Sequence, residues 1–217
     1  MIEPTYQSPD GKVVLYCADC LQVLPTLADG SVGAVVTDPP YCSGATPTAR
    51  RQKTASLTPE SVNPRPTIES DMMGAAGFDW FFRHLFLAAR YKTTLGGHLI
   101  CFTDWRMCGQ LAALSEAAGW RWNNVLVWDK GYPGLGAGFR AQHEMAIVCS
   151  NGAPTWHSYA FGNVLKSTRL TKTSHPHQKP TELLSAILET CSTPGAIILD
   201  PFMGSGSTAV AALQSDR

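Results

Sequence analysis

The tetrapeptide Asp38-Pro39-Pro40-Tyr41 follows directly on the apolar run Val32-Gly33-Ala34-Val35-Val36, and it limits what the rest of the chain can do. Two successive prolines have no backbone N–H to donate and hold φ at about −65°, so a strand arriving there must stop and turn. The turn leaves a carboxylate, two carbonyls and an aromatic ring held stiffly at a buried strand end, the place where open α/β sheets bind ligands. Such a cluster suits a flat ring that carries an amine. Asp38 and a proline carbonyl can accept both protons of an NH2 group while Tyr41 stacks on the ring face. Alone, Asp-Pro-Pro reads as an acid before a rigid turn. The tyrosine, the preceding strand and a glycine loop at the other end of the chain turn it into a candidate site.

A chain of 217 residues can bury one substantial core, so a single domain over residues 1–217 is expected. Its formal net charge is zero, which leaves any nucleic-acid surface to be local. No apolar run approaches the roughly 20 residues that span a bilayer, and Met1-Ile2-Glu3-Pro4 lacks a secretory pattern, so a cytoplasmic protein is expected. Cys101, Cys149 and Cys191 sit in apolar segments and read as reduced thiols. Cys17 and Cys20 form a lone Cys-x-x-Cys without the further ligands tetrahedral zinc needs, so no metal site is expected.

In chain order, residues 12–17 form a β-rich run, after which Asp19 can cap a helical segment at 21–27, contact a ligand, or both. Residues 32–37 form a continuously apolar strand, as expected when both faces of a parallel sheet are covered. The stretch 43–77 is rich in Ser, Thr, Pro and Gly. It carries Arg50, Arg51 and Lys53 with no acid until Glu60, and reads as a mobile insertion over the site or a solvated linker. Aromatics at helical spacing in 78–91 predict a core-facing helix, followed by a strand at 98–102, a helix at 107–118 and a strand at 120–128. A glycine-rich loop then leads through Arg140 to a strand at 145–149. With no helix between these two strands, an antiparallel pair near a sheet edge is expected. The alternation of strand and helix predicts an α/β fold, a doubly wound and mostly parallel sheet with helices on both faces.

Between Met145 and Thr181 there is no acidic residue, while Lys166, Arg169, Lys172 and Lys179 are present, a local phosphate-binding pattern. Trp156, Tyr159 and Phe161 within it can stack on bases or anchor a loop to the core. Pro180 starts a helix whose inner face is Leu183, Leu184, Ile187 and Leu188. A short strand at 196–199 ends in Asp200-Pro201-Phe202-Met203-Gly204-Ser205-Gly206-Ser207-Thr208 before a helix at 209–214. Strand, Gly-x-Gly, helix brings backbone close to a nucleotide-like ligand. The third glycine of a dinucleotide fingerprint and the Gly-Lys-Ser/Thr of a Walker loop are both absent.

The glycine loop with its Asp200-Pro201-Phe202 resembles the S-adenosylmethionine motif of the DNA amino-methyltransferases, and Asp38-Pro39-Pro40-Tyr41 resembles their catalytic motif. His177-Gln178-Lys179-Pro180 is similar to a third motif, which closes over the methionine end of the cofactor. Asp19-Cys20 stands where the family contacts the adenine ring. Catalytic motif first and cofactor motif last is the order of the β class. The resemblance, running from residue 13 onward, implies Asp38, Pro39, Pro40 and Tyr41 as catalytic residues. It implies cofactor contacts from Asp19, Cys20, Asp38, His177, Lys179, Pro180, Asp200, Pro201, Phe202, Gly204, Ser205, Gly206, Ser207 and Thr208. S-adenosyl-L-methionine is the expected cofactor and double-stranded DNA the expected partner, read by a short segment at 151–175 and by Arg50, Arg51, Lys53, Arg140, Lys166, Arg169 and Lys172. A homodimer and a restriction endonuclease partner stay open.

By the same resemblance the sheet is the seven-stranded methyltransferase one, with 13–17 as the family's third strand and 196–199 as its first. The strand between them belongs after the last helix and carries an acid for the cofactor ribose. The sequence stops at Arg217 with neither, and a gap inside a sheet would leave two rows of backbone groups unpaired, so a truncated or partly observed version of the chain, or a strand supplied by another polypeptide, is expected. Asp before Pro-Pro-Tyr favours N6 of adenine, with N4 of cytosine as the alternative. A DNA-binding subunit that keeps the fold without catalysis is the rival from another class, and transfer to RNA or to a protein amide is the rival on substrate.

Overall fold

The structure, a computed structural model, describes residues 2–42, 73–134, 138–168 and 178–217. Its centre is a six-stranded sheet in the order β7-β5-β6-β4-β3-β8. The strands are β3 (Val32–Thr37), β4 (Thr93–Thr103), β5 (Arg121–Asp129), β6 (His143–Ser150), β7 (Val164–Lys166) and β8 (Ile198–Leu199). β3 is parallel to β4 and β8, and β5 is parallel to β7. β6 runs antiparallel to both of its neighbours, β4 and β5. The fold is therefore the expected mostly parallel α/β sheet, and β5 and β6 form the expected antiparallel pair near one edge; the addition is that β6 also runs antiparallel to β4 on its inner side.

Helices cover both faces, as the continuously apolar strands require. On one face Val35, Leu99, Cys101, Ile147 and Cys149 pack against α2 (Ala75–Lys92) and α3 (Cys108–Ala117). The inward stripe of α2 is Phe78, Phe82, Leu85, Phe86 and Ala89, the helical spacing that places aromatics in the core. On the other face Ala34, Val36, Ile100, Phe102, Ala146 and Val148 pack against α4 (Thr181–Cys191) and α5 (Ser207–Gln214). Successive strand residues thus divide between two cores, the period-two signature of a sheet buried on both sides. Gly97 of β4 lies close against the β3 backbone: a Cβ there would lie 2.6 Å from the Gly33 carbonyl oxygen.

The run at 12–17 does not join this sheet. β2 (Val14–Leu15) pairs antiparallel with β1 (Tyr6–Gln7) in a separate ribbon. The expected first strand of the family order, β8, ends the main sheet and pairs on one side alone among the described residues. After the ribbon, Asp19 caps α1 (Cys20–Val23), which tightens into a 3-10 turn at Leu24–Thr26 where Pro25 interrupts the backbone hydrogen bonds. The first turn of α2 takes up residues 75–77. Of the rest of the expected insertion, residues 43–72, with Arg50, Arg51 and Lys53, lie outside the described residues, as do Arg169, Lys172 and His177. No helix of the described residues is long and apolar enough to cross a membrane.

Candidate active site

The parallel strands β3, β4, β5 and β8 all end on the same side of the sheet, and the two Asp-Pro motifs are the exits from β3 and β8. Because these strands are direct neighbours, with Val35 opposite Leu199, the motifs meet although they are far apart in sequence. Thr37, buried at the end of β3, donates its hydroxyl to Asp200 Oδ1 at 2.8 Å, and the Phe202 amide donates to the same oxygen at 3.0 Å. Burial pushes the Asp200 carboxyl above its ordinary range, against the pull of its hydrogen bonds from Thr208, Thr37 and the Phe202 backbone. Phe202 lies edge-on to Phe81 of α2 at 6.0 Å, which fixes the far side of the loop.

Beyond Phe202 the chain takes positive φ at Gly204 (52°) and at Gly206 (77°), the residue that opens α5. A side chain is disfavoured at these angles. Space around both is open: a Cβ on Gly206 would meet nothing within 4 Å, and one on Gly204 would meet only the Phe202 carbonyl oxygen at 3.8 Å. Ser207 and Thr208 are buried at the first turn of α5. The loop is thus a bare backbone shelf at a helix start, next to the Asp38 turn.

At that turn the side chains form one charged cluster. Asp38 Oδ1 accepts from the Tyr41 hydroxyl at 2.8 Å, and Oδ2 accepts from Lys179 Nζ. The Tyr41 hydroxyl also lies 3.2 Å from Glu144 Oε2, which is 3.2 Å from Lys179 Nζ. Glu144 Oε1 accepts from Lys130 Nζ. Lys179 is 5% exposed and stands 5.0 Å from the centre of the Phe102 ring, with the Tyr41 and Trp128 rings at 5.8 and 5.9 Å. Burial, and then the neighbouring Asp38 and Glu144 carboxylates, raise the Tyr41 hydroxyl well above its usual pKa, so its single proton stays and serves one carboxylate at a time. Burial also pushes the Glu144 carboxyl upward, but Lys179 and Lys130 outweigh it and hold the group below its ordinary value. Cys42, next in sequence, adopts a φ of 50°, uncommon outside glycine.

Sequence reasoning singled out Asp38, Tyr41, Lys179 and Asp200, which the structure brings together, but not Lys130 and Glu144 beside them. Glu144 reaches the site because β6 is antiparallel, so its first residues lie level with the last residues of its parallel neighbours: Glu144 pairs with Trp128 and Met145 with Thr103. The readable signal was an acid opening an otherwise apolar strand. The structure puts Lys179 against Asp38 and Glu144, and it puts Pro180 at the start of α4. Asp19 is occupied as a cap, accepting from the Leu21 amide at 2.9 Å, and Cys20 packs beside the same core cluster as Leu199 and Phe202. Burial, then the adjacent Asp19 charge, pushes the Cys20 thiol up to about 11.

Of the expected nucleic-acid contacts, Arg140 is exposed in the loop between β5 and β6, and Lys166 is exposed at the end of β7, level with Asp129. Both stand on the side of the sheet that carries the Asp38 turn. The three aromatics of the 151–175 segment divide. Trp156 stacks on buried His98 at 4.3 Å, near the opposite end of the sheet, and is an anchor. Tyr159 and Phe161 are exposed.

A sheet of this topology, with an Asp-Pro-Pro-Tyr turn and a glycine shelf side by side at its carboxyl edge, defines an α/β methyltransferase. The N6/N4 methyltransferase family model, described as DNA methylase, matches residues 32–217, and the chain belongs to that family. It is 31% identical over 199 residues to the putative methylase YubD of Escherichia coli K12, a match that covers 92% of this chain and 79% of YubD. Two solved structures share its fold. The cytosine-N4-specific PvuII DNA methyltransferase has a TM-score of 0.73 at 15% identity, over 99% of this chain and 82% of that one. The M1.HpyAVI–SAM complex has a TM-score of 0.63 at 21% identity, over 93% and 88%.

Proposed function

We propose that this chain moves a methyl group from S-adenosyl-L-methionine to the N6 amine of adenine in double-stranded DNA. One observation carries the reading: the Asp38 turn and the Asp200 glycine loop lie side by side, joined through the Thr37–Asp200 hydrogen bond. A donor and an acceptor of the methyl group can then share one site. M1.HpyAVI was solved with S-adenosylmethionine, and the glycine shelf fits such a group: Gly204 and Gly206 leave open space where side chains would intrude. Asp200, Phe202, Gly204, Ser205, Gly206, Ser207 and Thr208 would hold it, with Asp19 and Cys20 contributing at the adenine end. When bound, S-adenosylmethionine supplies an electrophilic methyl group.

The chain's own task is to make a poor nucleophile competent. The lone pair of an exocyclic amine is delocalised into its ring. Asp38 and the Pro39 carbonyl accept the amine protons, turn the nitrogen towards tetrahedral geometry and free the lone pair. Tyr41 packs on the base, which must leave the duplex to reach a strand tip. No covalent enzyme intermediate is needed, so Cys42 has no chemical role. Within the resemblance, Asp before Pro-Pro-Tyr supports adenine over cytosine. Arg140 and Lys166 contact phosphate, aided by Arg50, Arg51, Lys53, Arg169 and Lys172.

Incubation of the full-length protein with DNA and methyl-labelled cofactor, followed by nuclease digestion, tests this directly. Labelled N6-methyladenine is the expected product. Labelled N4-methylcytosine overturns the choice of base, and label on RNA or protein alone overturns the substrate. The Asp38→Ala variant is expected to lose at least about a thousandfold in rate while keeping cofactor affinity within about threefold. Retained turnover would dispose of the Asp38 mechanism.

A further inference from the structure

Resting on that methyltransferase reading, we infer that Glu144 is a positioning residue that takes Lys179 over from Asp38 when the target amine arrives. In the structure both oxygens of Asp38 are engaged, Oδ1 by the Tyr41 hydroxyl and Oδ2 by Lys179. An amine that needs Asp38 as its acceptor therefore meets a carboxylate engaged once at each oxygen and already paired with an ammonium, which weakens its pull on the amine protons. Lys179 cannot retreat into water at little cost, because it is 5% exposed among the rings of Phe102, Tyr41 and Trp128. A buried ammonium stripped of its partner is strongly disfavoured. A second seat lies within reach, since Glu144 Oε2 already stands 3.2 Å from Lys179 Nζ.

Glu144 is suited to be that seat. Its other oxygen is held by Lys130, and the two lysines keep it ionised. The Tyr41 hydroxyl lies 2.8 Å from Asp38 and 3.2 Å from Glu144, so both groups that cover Asp38 have the same alternative acceptor. Two carboxylates and two ammoniums sum to zero charge. Moving Lys179 from one carboxylate to the other leaves that sum unchanged and gives Asp38 its full negative charge for the amine protons. Asp38 is the catalytic residue in this scheme, and Glu144 acts through Lys179 and Tyr41.

The test compares Glu144→Gln with the double variant Glu144→Gln/Lys179→Met on DNA that the wild type methylates. Stranding Lys179 on Asp38 is expected to lower kcat about 30-fold, the rate equivalent of about 2 kcal/mol. Cofactor affinity by calorimetry and Tm should stay close to wild type. Removing the stranded cation as well is expected to recover at least about fivefold of kcat over the single variant. A purely structural Glu144 would instead lower Tm, and the second substitution would make matters worse; that result overturns the inference. Full activity of Glu144→Gln overturns it too. If the glutamine variant does not fold, Glu144→Asp, which keeps the charge but shortens the reach, must show the same loss and the same recovery. Failure of the wild type to methylate any DNA overturns the methyltransferase reading itself, whereas an active wild type with an unaffected Glu144→Gln overturns this inference alone.

Discussion

His98 should make the stability of this protein fall as pH drops below neutrality, by an amount that can be worked out from its surroundings. The side chain is 0% exposed in β4 and lies under the Trp156 ring. Its Nδ1 faces the Cys191 carbonyl at 3.1 Å, so Nδ1 carries the proton and donates, leaving Nε2 buried without a partner. Protonation would put an unpaired N–H and a charge into that space. Burial therefore lowers the pKa from 6.5 to about 4, assisted by nearby His157 and opposed by the hydrogen bond to Cys191. The unfolded chain takes up this proton near pH 6.5 and the folded chain only near 4. Stability from His98 is thus complete above about 6.5 and lost as pH falls towards 4, in all about 3 kcal/mol, of which about 2 kcal/mol is gone by pH 5. With a urea m-value of about 2 kcal/mol/M, that is a drop of about 1 M in the unfolding midpoint between pH 7 and 5. Other groups titrate in the same range, so the comparison is with His98→Gln, which cannot titrate. The gap between wild type and variant should narrow by about 1 M over that interval. Parallel pH curves for the two proteins would refute the reasoning. Because Trp156 sits on His98, acid should also loosen the start of the segment that carries Tyr159 and Phe161.

Two further outcomes follow from the edge of the site. Lys166→Ala should weaken DNA binding and reduce the slope of log K against log salt by about 0.9, as expected when one phosphate is no longer neutralised; fluorescence anisotropy in a salt series measures it. An unchanged slope would assign Lys166 to solubility. Gly206→Ala puts a side chain at a φ of 77° and should cost about 1 kcal/mol, a fall in Tm of about 2–4 °C by calorimetry, together with at least about tenfold in S-adenosylmethionine affinity, since the new methyl points into open space on the glycine shelf. Unchanged cofactor affinity would place the cofactor elsewhere.

Much of the fold was legible because its signals are local. The alternating burial of β3 and β4, the aromatic stripe of α2 and the proline stop at Pro39 each follow from a few neighbouring residues. What the sequence could not convey was pairing at a distance. Two strands joined by a glycine loop imply an antiparallel pair, and β5 and β6 form one. Nothing within 143–150 says that β6 also inserts beside β4 and so becomes antiparallel on both edges. β7, three residues long, is too short to have a period and exists through its partner β5. The apolar run at 12–17 has strand composition, but its pairing went to Tyr6–Gln7 a few residues upstream rather than to the main sheet.

The site divides along the same line. Asp38 and Asp200 were readable because proline and glycine fix their backbones whatever the tertiary context. Glu144 and Lys130 were not, since their meaning comes from the register that sets the start of β6 beside the end of β5. That register also decides the electrostatics. With Glu144 present, the two lysines of the cluster are matched by two carboxylates, and the charged cluster at the Asp38 turn is neutral as a whole. A neutral cluster exerts little long-range pull on a phosphate backbone. On the proposed function, attraction of DNA in a chain of zero net charge would then rest on exposed basic residues beside the turn, such as Arg140 and Lys166. On that proposal capture and chemistry would be carried by separate charges: salt at about 0.1 M screens the exposed ones over about 10 Å and would leave a buried exchange of Lys179 between Asp38 and Glu144 largely untouched.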